Sequence, residues 1–67
     1  MTSKKKTLGE KLIHLRGVRS QKEVADALGI SVSALSMYET DNRVPRDSIK
    51  IRLADYYDVT VQELFFS

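Results

Sequence analysis

The sequence predicts an all-α fold, a compact bundle of five short helices. Apolar residues recur at intervals of three and four, which is the period of an amphipathic helix, and no segment shows a convincing strand pattern. Helix start signals are also frequent, because at three places a Ser or Thr is followed three residues later by Glu, as in a capping box. These pairs are Thr7 with Glu10, Ser20 with Glu23, and Thr60 with Glu63.

The size and composition of the chain limit what it can be. A chain of 67 residues holds one small domain, and with no cysteine and a single histidine it has neither disulfides nor a zinc cluster to stabilise it. Hydrophobic residues make up 42% of the sequence, yet no apolar run approaches the roughly 20 residues that span a bilayer. We therefore expect a cytoplasmic protein with no membrane partner, with one domain over residues 7–67 after a basic, flexible tail over residues 1–6.

Charge is distributed unevenly along the chain. The net charge of +2 and the pI near 9.1 are shared by many proteins that have no nucleic-acid partner. All eleven Lys and Arg, however, lie within residues 1–52, whereas residues 53–67 carry three acids and no Lys or Arg. A basic amino-terminal part suits a polyanion, and an acidic end points away from one. The alternative is a solvated charged surface without a function.

Start and stop signals place the first three helices over residues 8–16, 21–28 and about 31–39. Gly17 is expected to end the first helix, and Gly29 to end the second in the left-handed conformation. Ser31 is a suitable cap for the third helix. The apolar residues expected on the inward faces are Leu8, Leu12, Ile13, Leu15, Val24, Ala25, Leu28, Leu35 and Tyr38.

Two further helices follow a connector over residues 41–44. Pro45 is expected to open the fourth helix, because its φ is already near the helical value. The fifth helix follows Thr60, where Val59 before the cap and Leu64 after it can form a hydrophobic staple. The inward residues of the fourth helix are Ile49, Leu53, Ala54 and Tyr57.

The segment from Gln21 to Tyr38 has the order helix, glycine turn, helix, which is the helix-turn-helix pattern. Ala25 is small enough for the second helix of the pair to cross closely over the first, and Gly29 permits the sharp turn between them. The outer face of the second helix is then left exposed, and such a helix fits the major groove of DNA. Any two packed helices share part of this pattern, so an ordinary helix pair is the alternative.

The chain from residue 12 to residue 66 resembles the phage-repressor-like family of the Cro and lambda-repressor type, also called the xenobiotic-response-element family. The motifs that carry the resemblance are Ser20-Gln21, Ala25 with Leu28-Gly29-Ile30-Ser31, Tyr38-Glu39, and Arg43-Val44-Pro45. The loop over residues 17–19 is about two residues shorter than usual in that family, which leaves the position of Arg19 open. Asp41 stands where many relatives have glycine.

The resemblance implies which residues approach the bases of DNA. The family's recognition-helix positions fall on Ser31, Val32, Ser33, Ser36 and Met37. None of these side chains is a long amide or guanidinium, so we expect hydroxyl hydrogen bonds and apolar contact with thymine methyl groups from Val32 and Met37. The alternative for Met37 is a partly buried core side chain that fills a gap beneath the helix.

Other residues are expected to contact phosphate or to support the helices. By resemblance, Gln21 opens the second helix and contacts a phosphate, unless it is an ordinary exposed glutamine. The further phosphate candidates are Arg43, Asn42, Lys22 and, more weakly, Lys50. Asn42 has a solvated turn as its alternative. The resemblance also implies that Arg16, in the first helix, forms a structural ion pair with Glu39 at the end of the recognition helix, which would contribute about 0–1 kcal/mol if exposed.

These expectations combine into a function. The chain is predicted to be a sequence-specific transcriptional regulator, a repressor, that binds double-stranded DNA as a homodimer on a short palindrome. The dimer interface is placed at Leu64, Phe65 and Phe66, with an intramolecular core as the alternative for Phe65. No cofactor, metal or enzymatic activity is expected, since His14 has no acid or nucleophile at usable spacing. The rival hypothesis is a protein-interaction module, such as an antitoxin or regulatory adaptor, with weak DNA binding.

Overall fold

The computed structural model describes residues 6–65, and in this part of the chain all regular structure is helical. The helices are α1 (Leu8–Arg16), α2 (Gln21–Leu28), α3 (Val32–Glu39), α4 (Asp47–Tyr56) and α5 (Val61–Phe65). The predicted all-α class and five-helix bundle with a helix-turn-helix are confirmed. No helix within residues 6–65 has the length and apolar character needed to cross a membrane.

Helix starts follow the cap chemistry of the sequence closely, with one exception. Thr7 and Glu10 form a complete capping box at α1, and Thr60 and Glu63 form another at α5. At α2 only half of the predicted box is made. Ser20 Oγ accepts the N–H of Glu23 at 3.0 Å, but the Glu23 carboxylate is not bonded back to the Ser20 N–H.

The predicted start of the fourth helix at Pro45 is wrong. α4 begins at Asp47, and Arg46 is its N-cap in an extended conformation with φ −71° and ψ 165°. The ring of Pro45 is fully buried in the interior. The connector therefore runs inward at Pro45 and turns into the helix only after Arg46, an arrangement set by packing rather than by the proline φ.

The core lies where α3 packs on α1 and α2, while α4 packs on α2 and α5. Its largest fully buried side chains are Leu12, Leu35, Leu53, Leu64, Val24 and Pro45. Ile13, which was expected on the apolar stripe of α1, is instead 46% exposed. The inward positions of α1 are filled by Leu12 with Leu8 and Leu15 beside it.

Three helices within residues 6–65 share one kind of left-handed ending, whereas α1 ends at Gly17, whose φ is 58° but whose ψ is −126°. Gly29 follows α2 with φ 71°, Asp41 lies just beyond α3 with φ 61°, and Asp58 lies just beyond α4 with φ 56°. In each case the next residue donates its N–H back to a carbonyl five residues earlier, at distances of 2.9–3.0 Å. This is the Schellman ending, in which glycine is the usual left-handed residue. The chain therefore places aspartate at two positions where glycine would cause no steric strain.

Candidate nucleic-acid interface

The turn between α2 and α3 has the geometry that the sequence predicted. Ala25 is completely buried at the crossing, and its carbonyl accepts the N–H of Ile30 at 3.0 Å. Gly29 is left-handed between the two helices. The side chain of Leu35 is fully buried and that of Ile30 packs against the core. Leu35 and Ile30 thus fill the space between the two helices and the core, and the opposite side of α3 faces outward.

The outward face of α3 carries the predicted base-contacting residues. Val32 is 41% and Met37 43% exposed, which is unlike a core role for Met37. Ser31 and Ser33 are exposed, and Ser36 is half-buried. Ser31 Oγ accepts the N–H of Ala34 at 3.0 Å as the N-cap, so its hydroxyl is left mainly as a hydrogen-bond donor.

The carboxy-terminal end of α3 is held by the buried carboxylate of Glu39. Glu39 is 3% exposed and accepts two hydrogen bonds, from Arg16 Nε at 2.7 Å and from Gln21 Nε2 at 2.9 Å. Arg16 also donates through Nη1 to the carbonyl of Arg19 at 2.9 Å. The hydrogen bond with Glu39 raises the pKa of the Arg16 guanidinium above its ordinary value, against the opposing effect of burial. The expected ion pair is therefore present, and it is more buried than an ordinary surface pair.

This network affects what Gln21 can offer to a ligand. One of its amide hydrogens is used by Glu39, which leaves the second for another acceptor. Gln21 is also the first residue of α2, and the first N–H groups of a helix have no partner within the helix. A phosphate placed there would meet both the side-chain amide and the positive end of the helix dipole.

The other phosphate candidates differ in how far they are engaged. Lys22 Nζ lies 2.9 Å from Asp26, but both side chains are largely exposed and the pair is easily exchanged. Asn42 donates to Thr40 Oγ1 at 2.8 Å. Arg43 is exposed and has no ion pair within residues 6–65. Arg43 is thus the most available cation among these candidates.

Lys50 is engaged by two neighbouring side chains. Its ammonium lies 5.0 Å from the centre of the Phe65 ring and 3.7 Å from Asp47 Oδ1. The contact with Phe65 links α4 to α5, whereas the contact with Asp47 lies within α4, and together they give Lys50 a structural role. Lys50 is therefore a poor candidate for a phosphate contact.

The sequence does not predict where the Arg19 side chain lies. This exposed residue directly precedes the N-cap of α2, and its guanidinium lies over the rings of Tyr56 and Tyr57, at 5.3 and 5.8 Å from their centres. Such cation–π contacts orient an arginine without removing it from water. Arg19 is therefore a further cation in the loop before α2, and no local signal in residues 17–19 reveals the tyrosines that hold it.

Of the three residues predicted at the dimer interface, the two that the structure describes expose little surface. Leu64 is 2% exposed and belongs to the core, so it presents almost no surface. Phe65 is half-buried and packs against the core below the Lys50 ammonium. Phe66 lies outside the described residues.

Comparison with known proteins agrees with this geometry. A family model described as helix-turn-helix matches residues 19–64, about two-thirds of the chain. The chain therefore belongs to this helix-turn-helix family, of the Cro/C1 type, and has the role of a DNA-binding transcription regulator. No curated protein matches the chain.

Proposed function

We propose that the protein is a sequence-specific repressor that binds a short palindromic operator as a symmetric dimer, with α3 of each subunit in the major groove. The observation that carries the proposal is the division of α3 into two faces. Leu35, Tyr38 and Glu39 are buried, whereas Val32 and Met37 are exposed together on the other side. The major groove of B-DNA is wide and deep enough to admit an α-helix, so this exposed face can reach the base edges.

The chemistry of this face predicts how sequence is read. Serine hydroxyls can bond to any base edge, and the apolar Val32 and Met37 favour thymine methyl groups. Neither kind of contact discriminates as strongly as a bidentate arginine or glutamine. We therefore expect the sequence preference to depend also on groove width and on the ease of bending the duplex.

Phosphate contacts are proposed on two sides of α3. Gln21 and the first N–H groups of α2 form one anchor, with Lys22 beside them. Arg43 and Asn42, in the connector that follows α3, form the other. Anchors on both sides would fix the depth and the angle of the helix in the groove, which is the usual role of backbone contacts.

Dimerisation is proposed because a single module of this size covers too little DNA for tight specific binding. Two copies related by a two-fold axis would place their recognition helices about one helical turn, roughly 34 Å, apart. The acidic carboxy-terminal end, with Phe65 as its half-buried aromatic residue, is the proposed contact between subunits. Residues 53–67 contribute three acids and no Lys or Arg, although Lys50 lies against Phe65, so this end is more acidic than the rest of the chain.

Selection of bound sequences from a random duplex pool tests this function directly. The proposal expects an enriched motif with two-fold symmetry and half-sites about one turn apart. Binding of the enriched duplex should weaken steeply as the salt concentration rises, because several phosphate contacts release counterions. A pool that stays random after repeated selection in dilute buffer would contradict the proposal.

A protein-interaction module is the second candidate, because large apolar side chains are also exposed outside α3. Val44 is 76% and Ile51 54% exposed. An apolar contact with a protein partner would respond only slightly to salt, so the same titration separates the two functions.

A further inference from the structure

Asp41 and Asp58 share a backbone conformation but differ in what their carboxylates do. Both lie in the left-handed region at the end of a helix. This conformation is strained for residues that have a Cβ and free of strain for glycine, which occupies the matching position at Gly29. Backbone geometry alone therefore does not account for an aspartate at position 41.

The Asp41 carboxylate is bonded to the start of α1. Oδ1 accepts the N–H of Gly9 at 2.9 Å, and Oδ2 accepts the hydroxyl of Thr7 at 2.6 Å. Thr7 is the N-cap of α1 and Gly9 lies in its first turn. An anion at this point satisfies an orphan N–H group and meets the positive end of the helix dipole. The Asp58 carboxylate makes no hydrogen bond or ion pair within residues 6–65.

The two chain segments also approach each other closely. A Cβ at Gly9 would meet the carbonyl oxygen of Glu39 and lie 2.9 Å from Asp41 Oδ2. The absence of a side chain at Gly9 thus lets α1 rest directly against the end of α3. The Asp41 bonds lie in this contact and join segments more than 30 residues apart.

Asp41 directly precedes Asn42 and Arg43, which the proposed function assigns to phosphate. The other end of this connector is fixed by Pro45, whose ring is fully buried. We propose, on the basis of that function, that Asp41 is a positioning residue for DNA binding. Its carboxylate ties the connector to α1 and so holds Arg43 in place at the end of α3.

The same carboxylate brings a negative charge close to the proposed phosphate contact, so a test must separate the charge from the tether. Asp41→Asn removes the charge, tolerates the left-handed backbone, and keeps both contacts. Its carbonyl can accept the Gly9 N–H and its amide can donate to Thr7 Oγ1. Asp41→Gly removes the charge and both contacts while relieving the backbone strain. The two variants therefore differ mainly in the tether.

The experiment measures the affinity of the selected duplex for both variants, alone and combined with Arg43→Ala. Circular dichroism first verifies that each variant is folded at the assay temperature. Asp41→Gly should bind about 3- to 10-fold more weakly than Asp41→Asn, since a mobile connector must be ordered on binding. In the Arg43→Ala background this difference should fall to within about twofold. Asp58→Gly and Asp58→Asn, the matched controls, should differ by no more than about twofold.

Each contrary result overturns a defined part of the reasoning. If the unchanged protein binds no duplex in dilute buffer, the proposed function fails and this inference with it. If the protein binds but the two Asp41 variants bind equally, only the positioning role fails. The role also fails if the difference persists in the Arg43→Ala background, or if the Asp58 pair shows the same difference.

Discussion

Removal of Arg16 should destabilise the protein more than neutralisation of its partner Glu39. The Glu39 side chain is 1% exposed, whereas that of Arg16 is 20% exposed. Arg16→Met leaves a buried carboxylate with Gln21 as its remaining partner, and breaking a buried pair in this way costs about 3 kcal/mol. Glu39→Gln keeps the shape and an acceptor for Arg16, which can also reach water, so it should cost only about 1 kcal/mol.

Thermal unfolding followed by circular dichroism measures this difference. A domain of this size has a free energy of unfolding of about 3–10 kcal/mol, and 1 kcal/mol shifts its Tm by about 4–8 °C. Arg16→Met should therefore lower the Tm by about 12–24 °C and Glu39→Gln by about 4–8 °C. Lys22→Met breaks an exposed pair and serves as the control, with an expected change below about 4 °C. Equal losses for Arg16→Met and Glu39→Gln would refute the asymmetry argued from burial.

Three further predictions concern binding and pH. Val32→Ala and Met37→Ala should each reduce the preference for the selected operator over random duplexes by about 5-fold or more, measured by competition, and an unchanged preference would refute this reading face. Arg43→Ala should lower the slope of log affinity against log salt by about one, whereas an unchanged slope would exclude a phosphate contact. Burial, first among its causes, raises the pKa of Tyr57 from 10.0 to about 12. The folded state thus holds this proton more tightly, and stability should fall as the pH rises from about 10 to 12. Tyr57→Phe should remove that loss in alkaline urea titrations, and it should cost nothing at pH 7, since the buried hydroxyl has no hydrogen-bond partner within residues 6–65.

The helices could be predicted because their signals are local. A cap hydroxyl and the N–H it accepts are three residues apart, so the start of α1 at Leu8 follows directly from Thr7 and Glu10. The end of α2 at Gly29 is equally local, because only the backbone of one residue must become left-handed. The start of α4 was missed because it depends on where the ring of Pro45 is buried, and burial is a tertiary property.

The site was only partly predictable for the same reason. The outward positions of α3 follow from helical periodicity once Leu35 and Tyr38 are assigned to the core. The bonds of Asp41 to Thr7 and Gly9 cross more than 30 residues of sequence, and no local pattern announces them. The aspartate could be recognised as a tolerable left-handed residue, but its carboxylate partners could not.

The contacts described above divide α3 into two functional parts. Its carboxy-terminal end is attached to α1 and α2 through Glu39 and, just beyond the helix, to the first turn of α1 through Asp41. Among the described residues, its outward face, with Val32 and Met37, has no such attachments and adds little to the core. Under the proposed function, substitutions on that face should therefore change sequence preference at small cost in stability. Loss of the contacts made by Glu39 or Asp41 should instead lower the stability of the fold and, under the proposed function, disturb the placement of α3 and its connector against DNA.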